Sequence, residues 1–193
     1  MSTAGARVGS VVQVPGGATR RALVLAAAAL VLAPRASRAQ ELDAPNVVAI
    51  TPLLATSGQP SEQALRTLAA RGFQAVVYLA PSDVPNAVRG EADILAGQGI
   101  TFVHLPIPFN APDDAHVQAL FAALDELKGR KTLVHCEINM RASTLVFLYR
   151  AIRLRENPAA AYESVARVWS PRGSWRRLVV EELAKNNVQF EPY

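Results

Sequence analysis

Residues 131–154 constrain the fold more than any other stretch. A short apolar strand, Lys131-Thr132-Leu133-Val134-His135, turns within a few residues into a strongly apolar helix, Ala142–Leu154. A helix with so little polar surface has to be buried on nearly every side, and a continuous apolar strand belongs in a sheet covered on both faces. The same alternation recurs upstream. Val47–Ile50, Gln74–Leu79 and Ile100–Ile107 read as strands. Helical patterns follow Ser61, cover 87–96 and span Asp113–Leu127, where Val117, Leu120, Phe121, Leu124 and Leu127 share a face. Pro158 opens a further helix towards Trp169, and a last one covers about 174–186. Strands alternating with helices predict an α/β domain, with a small central, mostly parallel sheet flanked by helices.

The first forty residues follow a different grammar. Arg20 and Arg21 precede the apolar run Ala22–Ala33, Pro34 ends it, and Ser37-Arg38-Ala39 places small residues at the −3 and −1 positions before Gln40. This order is that of a secretory signal, and twelve apolar residues fall short of the roughly 20 needed to span a bilayer. Thr19-Arg20-Arg21-Ala22-Leu23 suits twin-arginine export as well as the general route. The expected organisation is a signal peptide over residues 1–39 and a folded domain over 40–193, with an exported, periplasmic address and no membrane insertion after cleavage. Five arginines are the only charges in the leader, so the remaining chain carries 15 basic against 16 acidic residues, net −1 instead of +4. The basic character of the full sequence therefore belongs to the leader, and a nucleic-acid footprint is not indicated.

The chain has one cysteine, Cys136, immediately after the strand that ends at His135. With a single cysteine no intrachain disulfide exists, so in an oxidising compartment the thiol is either buried or working. Open α/β sheets bind ligands beyond the carboxyl ends of their strands. There a helix N-terminus and free backbone N–H groups stabilise an anion, whether a thiolate or a bound oxyanion. Arg141, five residues on, can offer two parallel N–H bonds to a tetrahedral oxyanion. Ser143 is placed to donate to the sulfur as a leaving group, and His135 to orient the loop. A single cysteine after a strand is also commonly plain core.

His135-Cys136, a short loop, then Arg141 and Ser143 before a buried helix resemble the phosphate-binding loop of protein tyrosine and dual-specificity phosphatases. Together with Ser57-Gly58-Gln59-Pro60 and Gly72-Phe73, the segment is similar to a bacterial tyrosine-phosphatase-like family. That family is related to the phosphatase-like domain of beta-lactamase-hydrolase-like proteins. The resemblance implies a cysteine phosphatase-like fold, a cysteinyl-phosphate mechanism acting on a phosphorylated or other oxyanion substrate, and neither metal nor cofactor. Cys136 would be the nucleophile, Arg141 would hold the phosphoryl oxygens and Ser143 would assist hydrolysis of the intermediate. His135, Glu137, Ile138, Asn139, Met140 and Ala142 would form the substrate cradle.

The loop departs from the phosphatase pattern. Four residues, not five, separate Cys136 from Arg141. Either the loop is one residue shorter, or Ala142 takes the usual arginine place and Arg141 is displaced. The usual loop glycines are absent, and Asn139 is the residue best able to adopt a left-handed conformation. Cys-x4-Arg spacing is also that of rhodanese-type sulfurtransferases, whose loop cradles a persulfide, and an anion-binding pseudoenzyme is a third reading. The usual general acid falls on Asn110, which cannot donate a catalytic proton. Asp113 or Asp114 can substitute, although both stand where a helix cap and first-turn acid belong. Glu137 inside the loop repels a dianion. Arg172, Arg176 and Arg177 near Trp175 either rim the pocket or form a solvated helix face, and Ser57 and Gln59 reach the site by analogy alone. His104 and His116 lack ligand-spaced partners.

Overall fold

The structure is a computed structural model and describes residues 41–193. The leader assigned to residues 1–39 lies outside the described residues. Five strands form the sheet: β1 (Val48–Thr51), β2 (Leu54–Ser57), β3 (Ala75–Tyr78), β4 (Thr101–His104) and β5 (Thr132–His135). Their spatial order is β1-β2-β5-β3-β4, antiparallel between β1 and β2 and parallel elsewhere, as the alternating pattern predicts. Strand β2 was not expected. Leu54-Ala55-Thr56-Ser57 carries little β-propensity of its own, and it is held by antiparallel pairing to β1 and parallel pairing to β5.

The register places the functional edge. Ser57 and Tyr78 both stand opposite His135, and Tyr78 stands opposite His104, so four parallel strands end level with one another. Strand β5 lies in the middle of the sheet, and Cys136 leaves from its carboxyl end between β2 and β3.

Successive residues of a strand face opposite sides, and the two sides carry separate cores. Val77 and Val134 pack with Val117, Leu120, Phe121, Phe147 and Trp175. Val76 and Leu133 pack with Leu65, Leu68 and Leu95. Helices α3 (Asp114–Glu126), α4 (Met140–Leu148), α5 (Pro158–Ala166) and α6 (Gly173–Lys185) contribute to the first core. Helices α1 (Glu62–Leu65) and α2 (Glu91–Ala96) contribute to the second. Ser61 caps α1, and Gly72, at φ 81°, closes the short 3-10 turn Ala69–Arg71 that follows it.

Two helices differ from expectation in ways that shape the site. Helix α2 begins at Glu91 and not near residue 87, because Gly90 at φ 72° supplies a left-handed entry and residues 82–90 run as turns. Helix α4 begins at Met140, two residues early, because Asn139 takes the left-handed conformation at φ 74°. All residues from Arg141 to Leu148 are buried, and the helix then widens into a π turn over Tyr149–Arg153.

Candidate active site

The loop joining β5 to α4 is clamped from outside through its carbonyls. The Glu137 carbonyl accepts from the Gln59 backbone N–H (3.1 Å) and from Asn86 Nδ2 (2.9 Å), and the Ile138 carbonyl accepts from Asn46 Nδ2 (3.0 Å). Asn139 returns the grip: its Nδ2 donates to the Asn46 carbonyl (2.5 Å) and to Thr56 Oγ1 (3.1 Å). A Cβ on Gly58 would stand 2.8 Å from Pro45 Cβ on one side and 3.0 Å from the Glu137 carbonyl oxygen and Ile138 Cα on the other. The glycine is thus needed for backbone approach, and any side chain would have to force Pro45 and the loop apart. The Cys136 N–H donates to the Ser57 carbonyl (3.2 Å), which ties the cysteine to the end of β2.

These clamps aim the N-terminus of α4 at the loop's concave side. The first bond inside the helix runs from the Ser143 N–H to the Asn139 carbonyl (2.9 Å). The N–H groups of Met140, Arg141 and Ala142 therefore have no partner within the helix. Together with the helix dipole they form a site suited to an anion. Cys136 sits at its base with no exposed surface, packed into the larger core.

Arg141 stays in the site despite the four-residue interval. Its Nε donates to the Ile107 carbonyl (3.0 Å), its guanidinium lies 5.1 Å from the centre of the Phe109 ring, and Nη1 stands 3.7 Å from the Glu137 carboxylate. The side chain is 4% exposed, while Glu137 is 35% exposed at the rim. Ala142 is buried in the larger core. Phe109, beside the guanidinium, and Ile138, in the loop, are exposed apolar residues. Ser143 is buried and its hydroxyl donates to the Met140 carbonyl (3.3 Å) within its own helix.

Beneath the loop lies a polar layer that the sequence reading found only in part. His135, fully buried, places Nε2 2.7 Å from Glu91 Oε1, and Glu91 Oε2 accepts from Gln59 Nε2 (2.9 Å). One carboxylate, 5% exposed, therefore links the end of β5 to the turn after β2. Gln59 was expected near the site by analogy alone, and Glu91 was not considered. The available signal was Gly90 followed by an acid at a helix start, but that pattern is common to many surface helices. Tyr78 stacks on the His135 ring (4.7 Å between centres), and its hydroxyl donates to the Pro81 carbonyl. Burial first, then the negative charges of Glu91, Cys136 and Glu137, push the Tyr78 phenol up to about 12, with Arg141 opposing. The phenol is therefore a neutral donor at physiological pH.

The other residues singled out in the sequence fall elsewhere. Asp113 is the N-cap of α3 in a reciprocal capping box: Oδ1 accepts from the His116 N–H (3.1 Å), and His116 Nδ1 accepts from the Asp113 N–H (3.2 Å). Asp114 pairs with Lys185 (2.8 Å), and that hydrogen bond holds its carboxyl below the usual range. Asn110 is exposed on the preceding loop. His104 binds the Ala80 carbonyl through Nε2 (2.9 Å) and stacks on Tyr78. Arg176 pairs with Glu191, and Arg172 and Arg177 are exposed. Trp175 is instead buried and donates from Nε1 to the Phe109 carbonyl (2.7 Å), fixing the loop that flanks Arg141.

A central parallel strand followed directly by a cysteine, a short loop and a helix N-terminus carrying an arginine defines a cysteine-phosphatase-like α/β domain. A family model described as "DSP-PTPase phosphatase fused to NAD+ Kinase" matches residues 38–177, and the chain belongs to that family. Among solved structures it is similar to the DUF442 protein of Shewanella putrefaciens CN-32. The two are 30% identical with a TM-score of 0.68, over 74% of this chain and 92% of that one. It is also similar to Tk-PTP in its active form, at 25% identity and a TM-score of 0.57, over 73% and 95% of the two chains. A beta-lactamase hydrolase-like protein of Xylella fastidiosa (strain Temecula1) is 30% identical over 109 residues. These make up 55% of this chain but a quarter of that protein's length.

Proposed function

We propose that the chain is a cysteine-dependent phosphatase that hydrolyses phosphate monoesters through a cysteinyl-phosphate intermediate. The observation that carries this reading is the placement of Cys136 at the carboxyl end of the central strand. There the N-terminus of α4 and the Arg141 guanidinium converge five residues on. The phosphoryl oxygens would be held by the N–H groups of Met140, Arg141 and Ala142 and by the arginine. The Cys136 thiolate attacks phosphorus, the ester oxygen departs, and water then attacks phosphorus and returns the thiolate. His135, Glu91, Gln59, Asn46 and Asn139 act by keeping the cradle in shape. An exported address, expected from the signal-like order of residues 1–39, belongs to this proposal, and the substrate would then be a phosphate monoester encountered after export.

A second reading has its own observation. The Glu137 carboxylate already faces Arg141 and Cys136 is fully buried, an arrangement that also suits an anion-binding protein without turnover. Cys-x4-Arg spacing keeps persulfide chemistry as a third outcome. One experiment separates them: hydrolysis of an activated aryl phosphate by the purified protein and by its Cys136→Ser variant. The proposal expects turnover in the first and a fall to background in the second. Phosphate binding without turnover in either protein would support the second reading. Transfer of sulfur from thiosulfate to cyanide would support the third.

A further inference from the structure

Cleavage of an alkyl phosphate leaves an alkoxide unless a proton reaches the departing oxygen, so a phosphatase of this design needs an acid at the mouth of the loop. The residues that sequence comparison offers for that task are otherwise engaged. Asn110 has no acidic proton. Asp113 is held in the capping box of α3, and Asp114 is held by Lys185 and Gln118. Among the described residues, the carboxylate that stands against the Arg141 guanidinium is that of Glu137. It is one residue from the nucleophile, at the rim, and partly exposed, while its own carbonyl is clamped by Gln59 and Asn86 so that the side chain has a fixed base.

We infer that Glu137 is the general acid of the reaction, an assignment that rests on the phosphatase reading above. In the free protein its carboxylate occupies the anion side of Arg141. A phosphate monoester entering the cradle takes over that guanidinium and the N–H groups of α4. As the ester displaces it from the arginine, the carboxylate takes up the proton that it later passes to the leaving oxygen. That proton comes from the ester monoanion or from solvent. The chemistry then balances in two steps. The Cys136 thiolate forms a bond to phosphorus, the bond to the ester oxygen breaks, and that oxygen takes the proton from Glu137 to leave as an alcohol. Water next attacks the cysteinyl phosphate and gives a proton to the Glu137 carboxylate. The bond from phosphorus to sulfur breaks, and inorganic phosphate leaves beside a restored thiolate. The short loop has a purpose in this scheme, because a residue within the cradle does the work usually given to a separate aspartate loop. The charged group against Glu137 is Arg141, and the neutral Tyr78 phenol feels the charges of Glu137, Glu91, Cys136 and Arg141 together.

The test is the dependence of rate on the leaving group, measured for the wild-type protein, Glu137→Gln and Asp113→Asn. Asparagine preserves the helix cap, and thermal unfolding and binding of inorganic phosphate check that each variant keeps its fold and cradle. The expected result for Glu137→Gln is a loss of about 10²–10⁴ in kcat on an alkyl phosphate. On a nitrophenyl-type ester, which needs no acid, the same variant is expected to lose less than about tenfold. Equal losses on both esters would overturn the assignment and leave the phosphatase reading standing. So would a leaving-group-dependent loss found in Asp113→Asn and absent from Glu137→Gln. Absence of hydrolysis by the wild-type protein on any ester would overturn the assignment and the phosphatase reading together.

Discussion

Replacing Arg141 with alanine is expected to lower kcat/KM for aryl phosphates by about 10²–10³, the usual consequence of removing one preorganised donor to a developing anion. The structure gives the reason for so large an effect. The guanidinium is nearly buried, is oriented by its Nε bond to the Ile107 carbonyl, and rests on the Phe109 ring, which Trp175 in turn positions through the Phe109 carbonyl. Little entropy is left to lose when an oxyanion binds. Arg141→Lys is expected to recover only a small part of the loss. An ammonium on a flexible stem reproduces neither the bond to Ile107 nor a two-pronged contact with phosphate. Steady-state kinetics on one aryl phosphate check both variants. Activity within threefold of wild type in Arg141→Ala would remove the arginine from the cradle.

Glu91→Ala is expected to be the most destabilising single change near the site, costing about 3 kcal/mol in urea unfolding. It breaks a buried contact with His135 and a buried hydrogen bond from Gln59 while leaving both partners without access to water. Glu91→Gln is expected to cost much less, about 1 kcal/mol. The introduced amide can accept from His135. Gln59, whose Oε1 has no protein partner, can turn its own amide to accept from the new donor. The midpoint of a urea curve distinguishes the two substitutions. The consequence for function follows from the same bonds: Gln59 also holds the Glu137 carbonyl through its backbone N–H, so a disordered Glu91 layer loosens the cradle. Equal stability of Glu91→Ala and wild type would show that the layer beneath the loop does not stabilise the fold.

The elements legible in the sequence were those whose pattern is set locally. β3 and β5 announce themselves as continuous apolar runs because both faces are covered, and α3 does so through its periodic apolar stripe. Asn139 was legible for a related reason, since few residues other than glycine enter the left-handed region cheaply. Strand β2 was not legible, because Leu54–Ser57 is made a strand by two neighbours distant in the chain. The link from Glu91 to His135 was invisible for the same cause: 44 residues of chain separate two side chains that meet only when β3 and β5 lie side by side. The surroundings of Arg141 were not legible, because Phe109 and the Ile107 carbonyl, which the guanidinium meets, lie more than thirty residues away in the chain. For Asp113, the sequence offered a cap and an acid, and the structure supplies the partners of a cap.

Trapping the covalent intermediate shows whether the Cys136 thiol is a nucleophile or a core side chain. The purified protein is mixed with an activated aryl phosphate, quenched in acid within the first turnover, digested and mapped by mass spectrometry. A nucleophilic Cys136 leaves a phosphoryl group on the peptide that carries it, formed in a burst together with the first equivalent of phenol and lost on longer incubation. Phenol release with no phosphoryl group on that peptide, or release that persists in Cys136→Ser, would contradict that role.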